Sequence, residues 1–363
     1  MNTKYTIIIA IVAIAIIACA VVAYTYNSKE TVLLYGAGAS FPYPLLSSMI
    51  IDYQDSKSYV EINYNPTGSG AGISALTDKT VDFAGSDAPL SASEAEKAPN
   101  VLHIPETIGS IAIAYNIAGV DTGLKLTGKV VADIFQGKIT KWNDPAIAKL
   151  NQDISLPDAT INVVRRSDSS GTTFIFTDYL SAVSSSWENS VGRAKSVEWP
   201  VGIGASGNTA VASTVITTQN SIGYVELAYA LQNDMTYAAI QNPAGNYILP
   251  SLASTTAAAQ AIASSGLPSG SESWSHVNLL NANDANAYSI VGFSYLMVYK
   301  ELNVIDGMTE ERAIELVNFL SYVIHDGQDL ASDLDYALLP SNVVTLNSAT
   351  IRTITFNGQQ VLK

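Results

Sequence analysis

The sequence contains one cysteine, Cys19, among 363 residues. No internal disulfide is possible, so no covalent link holds the fold together. Histidine is almost as scarce, and His103, His276 and His325 lie far apart in the chain. No Cys/His spacing suggests zinc and no carboxylate–histidine cluster offers a metal pair, so no metal and no cofactor is expected. Each histidine reads as a surface or satisfied structural residue. Charge is sparse too: 14% of residues are charged, and the net charge is −14. There is no basic run and no interleaving of arginine with aromatics, which excludes a nucleic-acid footprint. The same acidity gives no long-range attraction to a small anion. An anion site here must work through local donors in a dehydrated pocket.

The N-terminus lacks charge altogether from Tyr5 to Ser28, after Lys4, and Ile7–Ala23 is almost wholly Ile, Val and Ala. That run is near the length needed to span a bilayer. Three fates fit it: an uncleaved anchor, a signal peptide cut near Ala18-Cys19-Ala20, or a lipoprotein signal. Ile16-Ile17-Ala18-Cys19 resembles a lipobox, which makes Cys19 the lipidation candidate. The apolar run continues past Cys19 to Ala23, which favours the anchor. All three export the rest of the chain, with residues 1–30 serving as signal or anchor plus linker. The remainder is long enough for two lobes with proper cores.

What is present is one local device used repeatedly. Val163-Val164-Arg165-Arg166 ends a strand, Ser167-Asp168-Ser169-Ser170-Gly171-Thr172 forms a small polar loop, and a helix follows. The first N–H groups of a helix have no intrahelical partner, and the dipole puts partial positive charge there. Ser170 and Thr172 add hydroxyls, Gly171 allows close approach, and Arg166 supplies a planar fork that Asp168 can pin. Taken alone, Ser-Gly-Thr after a strand is more often a plain turn with a helix cap. The device recurs, however. A strand at Thr31–Tyr35 leads through Gly36-Ala37-Gly38-Ala39-Ser40-Phe41-Pro42 into a helix, where Ser40 and the Phe41 N–H can meet a ligand. A strand at Val60–Tyr64 leads through Asn65-Pro66-Thr67-Gly68-Ser69-Gly70-Ala71-Gly72 into a helix from Ile73.

The rest of the chain reads as alternating α and β segments. Val81–Leu90 is a strand running into a turn at Asp87, and Ser93-Glu94-Ala95-Glu96 has the pattern of a capping box. Ile104–Ile117 predicts a central strand crossing between lobes. Gly207-Asn208 precedes a helix at Thr209–Thr218, Ile222–Val225 is a short strand, and Tyr288–Tyr299 a returning one. Residues 249–272 predict one short helix between flexible, solvated ends. Thr309 caps an amphipathic helix with Ala313, Leu316, Val317, Leu320 and Val323 on its apolar face.

These segments resemble the phosphate-binding proteins of prokaryotic ABC transporters, from about Leu34 to about Val344. The resemblance rests on the Gly36–Pro42 and Val163–Thr172 stretches, Thr80–Leu90, Gly137-Lys138-Ile139-Thr140-Lys141-Trp142-Asn143-Asp144, Ser221-Ile222-Gly223-Tyr224-Val225-Glu226 and Asp333-Leu334-Asp335-Tyr336-Ala337-Leu338-Leu339-Pro340. It implies an α/β, two-lobed periplasmic binding protein fold (type II). Each lobe would be a mixed sheet flanked by helices, with the ligand in the cleft between lobes that close by hinge motion. The discontinuous first lobe would be 32–113 plus 292–363, and the second 114–291. Inorganic phosphate would be held by Ser40, the Phe41 N–H, Ser69, Asp87, Arg166, Ser170, the Gly171 N–H and Thr172, with Asp168 supporting Arg166. Two departures are small: members often carry Thr where Ser40 stands, and some carry a further serine after the one matching Ser69. The implied partners are the permease subunits of an ABC importer and, through the N-terminal segment, the membrane. The resemblance further implies a monomer on the extracytoplasmic face, tethered there or periplasmic if cleaved.

Two other functions were weighed. A serine hydrolase built on Ser170 would need a histidine or lysine base, and no histidine lies near these motifs. A receptor for sulfate or molybdate would not need Asp87, because those anions carry no hydrogen for a carboxylate to accept.

Overall fold

The computed structural model describes residues 30–263 and 266–362. The expectations for the N-terminal segment, Cys19 included, fall outside the described residues. The elements around the cleft are numbered here in chain order. They begin with β1 (Val32–Gly38), α1 (Tyr43–Ser56), β2 (Val60–Asn65), α2 (Ser69–Thr77), β3 (Phe83–Ser86), α3 (Ala92–Lys97) and β4 (Val101–Asn116). Next come β5 (Asn162–Arg166), α4 (Gly171–Val183), β6 (Ile203–Ala205), α5 (Gly207–Thr217), β7 (Ser221–Glu226) and α6 (Leu227–Gln232). The set closes with β8 (Val291–Tyr299) and α7 (Glu310–Ile324).

Strand order along the sheet is β2-β1-β3-β8-β4-β7-β5-β6. Strands β2, β1 and β3 are parallel, as are β7, β5 and β6. Between these two groups run the antiparallel β8 and the 16-residue β4. β4 pairs with β8 over Val101–Ser110 and with β7 over Ile111–Asn116, so one strand serves both lobes. All of β4 except Asn116 is buried, which fits the apolar run Ile111–Tyr115, while its first half also buries His103, Glu106, Thr107 and Ser110. Parallel strands need crossover helices, and these place their N-termini at the carboxyl ends of the strands. The two parallel groups point those ends at each other across the cleft, where the loops meet.

Helix α7 buries Ala313, Leu316, Val317, Leu320 and Val323 as its periodicity predicts, and Thr309 caps it by accepting from the Arg312 N–H. The long strand at 104–117 and the returning strand at 288–299 are likewise present, with slightly shifted ends. Two expectations differ. The capping box of α3 is Ser91 with Glu94, two residues before the pattern chosen from sequence; the Ser91 and Glu94 side chains bond each other's backbone N–H. The end of the 249–272 segment is docked rather than solvated. Gly270 is buried, its carbonyl accepting from the His103 N–H and its own N–H donating to Thr350.

Candidate functional site

Four strand-to-helix junctions converge between the lobes. From the first lobe come Ser40 and Phe41 after β1, Ser69 at the start of α2, and Asp87 directly after β3. Helix α2 begins at Ser69, four residues earlier than the sequence suggested, so Ser69 occupies a first helical turn. From the second lobe come Arg166 at the end of β5, and Ser170, Gly171 and Thr172 at the start of α4. The structure brings all eight residues together, and all are buried.

The lobes are closed on one another. The Ser69 hydroxyl oxygen accepts from the Gly171 N–H at 3.0 Å and from the Asp87 N–H at 3.3 Å. Thr172 donates to Asp87 Oδ2 at 3.4 Å. The Gly70 N–H donates to the Ser169 carbonyl at 2.9 Å. Tyr229 on α6 donates to the Ser40 carbonyl at 2.6 Å. At the mouth, Lys195 Nζ lies 2.7 Å from both carboxylate oxygens of Glu94. Gly171 is where the backbones press closest: a Cβ there would sit 2.5 Å from Ser69 Oγ and 2.7 Å from the Asp87 Cβ and N. Only glycine fits that approach.

Arg166 is almost fully buried, and its orientation is fixed from three sides. Asp168 takes its Nε at 2.7 Å and also its Nη2, while the Tyr224 hydroxyl accepts from its backbone N–H at 3.1 Å. That leaves Nη1 on the cleft side, 3.4 Å from Thr172 Oγ1. Burial works against the Asp168 charge, yet the hydrogen bonds and charge of Arg166 hold its carboxyl below the ordinary value. Ser170 is the N-cap of α4, its oxygen accepting from the Thr173 N–H at 3.1 Å. The bland reading of that serine therefore holds for its lone pairs, and its hydroxyl hydrogen is still a donor.

Asp87 is the one carboxylate among these donors and is 3% exposed. Burial pushes it up to about 7, while hydrogen bonding by Ser294 on β8 and the charge of Arg166 pull the other way. Ser294 donates to Asp87 Oδ1 at 3.0 Å.

Sequence reading missed two participants. Asn208, at the start of α5, donates through its amide to Ser40 Oγ at 3.1 Å and to Thr172 Oγ1 at 3.2 Å. Its own carbonyl accepts from the Glu226 N–H. Gly207-Asn208 is a further copy of the strand, small-residue loop and helix device, so the signal was there to be used. Ser294 had no such signal; it sits inside a strand. Behind Phe41, Tyr336 donates to the Phe41 carbonyl at 2.7 Å and lies 3.0 Å from Glu226 Oε2. Two motifs named in the sequence thus meet under the β1 loop. Among the described residues no group of His, Cys, Asp and Glu could hold a metal ion.

Two lobes sharing a crossing strand, with a buried polar cleft sealed between their loops, define the class: a periplasmic-type binding protein. A family model described as a PBP superfamily domain matches residues 25–326. A phosphate-binding protein PstS of Xylella fastidiosa (strain Temecula1) is 43% identical over 324 residues, covering 88% of this chain and 84% of that protein. One from Methanocaldococcus jannaschii is 36% identical, covering 83% and 81%. The chain belongs to the PstS family of phosphate-binding proteins. Among solved structures, a high-affinity periplasmic phosphate-binding protein bound with phosphate superposes with a TM-score of 0.68 at 20% identity, covering 88% of this chain and 93% of that one. At that identity the likeness speaks for the fold.

Proposed function

We propose that this protein binds inorganic phosphate outside the cytoplasm and hands it to the membrane subunits of an ABC importer. The observation that carries this reading is a single buried carboxylate, Asp87, set in a ring of donors. Ser40, Ser69, Ser170, Thr172 and Asn208 offer side-chain donors. The Phe41 and Gly171 N–H groups and the free edge of Arg166 complete the ring. Four phosphate oxygens want many donors, and the one hydrogen left on phosphate above neutrality wants one acceptor. Asp87 is that acceptor. Sulfate brings no hydrogen, so its oxygens would face an ionised carboxylate with nothing between them. Sites built around a ligand's hydrogen reject analogues lacking it by on the order of 10⁴, because a buried charged group is left unpaired.

The donors are worth about 1.5–3 kcal/mol each when charge-assisted. Their sum would exceed any real affinity, so most of it offsets dehydration of the anion and closure of the lobes. Binding without turnover is the role assigned. The carboxylate of the ring, Asp87, is engaged by Ser294 and Thr172. The lobes are taken as 32–113 plus 292–363 and 114–291; the change of β4 partner after Ser110 supports those limits. Delivery to a permease, a monomeric state and tethering through the N-terminal segment or a lipid on Cys19 belong to the same proposal. Among the described residues no helix is long and apolar enough to cross a membrane. The test is calorimetric titration of the full-length chain, stripped of bound anion by unfolding and refolding, with phosphate and then molybdate. Phosphate heat is expected; molybdate heat without phosphate heat would overturn the reading.

A further inference from the structure

A second carboxyl lies directly behind Asp87. Glu106 on β4 is 2% exposed and sits at an irregularity in the ladder with β8. Ser294 pairs with Thr107 and Tyr295 with Pro105, which leaves Glu106 as the extra residue of a bulge. A bulge re-aims the side chain of its extra residue. The Glu106 carbonyl, outside that register, accepts instead from Gln328 Nε2 at 2.9 Å. Its carboxyl Oε1 lies 3.1 Å from Ser294 Oγ, the same hydroxyl that is 3.0 Å from Asp87 Oδ1.

A serine hydroxyl has one hydrogen. With two carboxyl oxygens in bonding range of one Oγ, only one can accept from it, and the other contact needs a hydrogen from the carboxyl itself. The surroundings decide which. Asp87 has the charge of Arg166 and the Thr172 hydroxyl in its favour, whereas the Glu106 carboxyl meets Ser294. The other ionisable groups facing the pair are phenols: Tyr64 on β2, Tyr229 on α6, Tyr295 on β8 and Tyr336. Burial raises each of them, so they stay neutral and donate no charge. The Arg166 charge is shared with Asp168.

We infer that Glu106 holds a proton and donates it to Ser294 Oγ, so that Ser294 donates to Asp87 and Asp87 stays an acceptor toward phosphate. Glu106 is thus a positioning residue for selectivity, acting through Ser294 without touching the ligand. This rests on the phosphate reading above and deepens it. Burial, opposed by the Ser294 hydrogen bond and reinforced by the neighbouring Asp87 charge, pushes Glu106 up to about 8, so it is neutral at neutral pH and ionises just above. Once ionised, it competes for the Ser294 hydrogen and puts a second negative charge behind the bound dianion. Phosphate binding above that point must therefore take up one proton.

The test is calorimetric titration of the full-length chain with inorganic phosphate from about pH 6 to about pH 10, in buffers of different ionisation enthalpy so that protons are counted. The wild-type protein should lose about tenfold in affinity per pH unit above the Glu106 transition, with uptake approaching one proton. In Glu106→Gln the amide donates to Ser294 permanently. Neutral-pH affinity should stay within about threefold, and both the alkaline fall and the proton uptake should vanish. An unchanged alkaline fall in Glu106→Gln overturns the inference while leaving phosphate binding intact. Should that variant not fold, absence of proton uptake by the wild-type protein at alkaline pH overturns it equally. No phosphate heat from stripped wild-type protein at neutral pH would remove the binding reading, and this inference with it.

Discussion

Replacing Gly171 by alanine should weaken phosphate binding without unfolding either lobe. The added Cβ would stand 2.5 Å from Ser69 Oγ and 2.7 Å from Asp87 Cβ and N, all atoms of the opposite lobe. Ordinary contact begins near 3.4 Å, so the lobes must part by about 0.7–0.9 Å at this point. Two of the three close neighbours are Cβ and backbone of Asp87, which cannot swing aside as a long side chain would. The Gly171–Ser69 bond of 3.0 Å and the Thr172–Asp87 contact of 3.4 Å both stretch when the lobes part. Overpacking of this kind costs about 1–3 kcal/mol, and here the cost falls on the closed state alone, a loss of about 5- to 150-fold in affinity. Calorimetric titration gives the affinity, thermal unfolding of the ligand-free protein controls for the fold, and small-angle scattering reports closure. Wild-type affinity, or a large drop in ligand-free stability, would refute the reasoning, because either result would mean that closure does not depend on this approach.

Three further outcomes are expected. Asp87→Asn should admit sulfate, shrinking the phosphate-to-sulfate ratio from on the order of 10⁴ to below about 10², read by competition titration. Lys195→Ala should lower phosphate affinity about two- to fivefold through loss of the largely buried bridge to Glu94, with the deficit shrinking at high salt. The ligand-free protein should be most stable at low pH with respect to Asp87 and Glu106. Both carboxyls are raised in the fold, to about 7 and about 8, from unfolded values near 4. Their contribution is therefore fully present below about pH 4 and lost as pH rises to about 8. A melting temperature of stripped protein that rises across that window by calorimetry would contradict the shifts.

Much of the site was legible because its parts are local. A strand end, small residues and a helix start lie within ten residues, and that pattern pointed to Ser40, Arg166 and Thr172 without tertiary knowledge, while Ser69 was named only through the family resemblance. Asn208 was legible by the same rule but was passed over, since Gly207-Asn208 carries no hydroxyl or charge to draw the eye. Glu106 and Ser294 were hidden for a different reason. Both are buried inside strands, and their meeting depends on a bulge and on antiparallel register across 188 residues of sequence. The box at Ser91 and Glu94 was misplaced because Ser93 and Glu96 offer the same spacing two residues later. The docking of Gly270 against His103 and Thr350 was invisible because a Ser/Gly-rich stretch has the same composition whether solvated or packed.

The central claim is that a buried carboxylate in a ring of donors selects an anion that still carries a hydrogen. The most direct measurement is titration of the stripped full-length chain with phosphate and with sulfate at slightly alkaline pH, where Asp87 is ionised. Tight phosphate binding with no detectable sulfate heat is predicted. Comparable affinity for the two anions would contradict the account, since nothing in the ring other than Asp87 tells them apart.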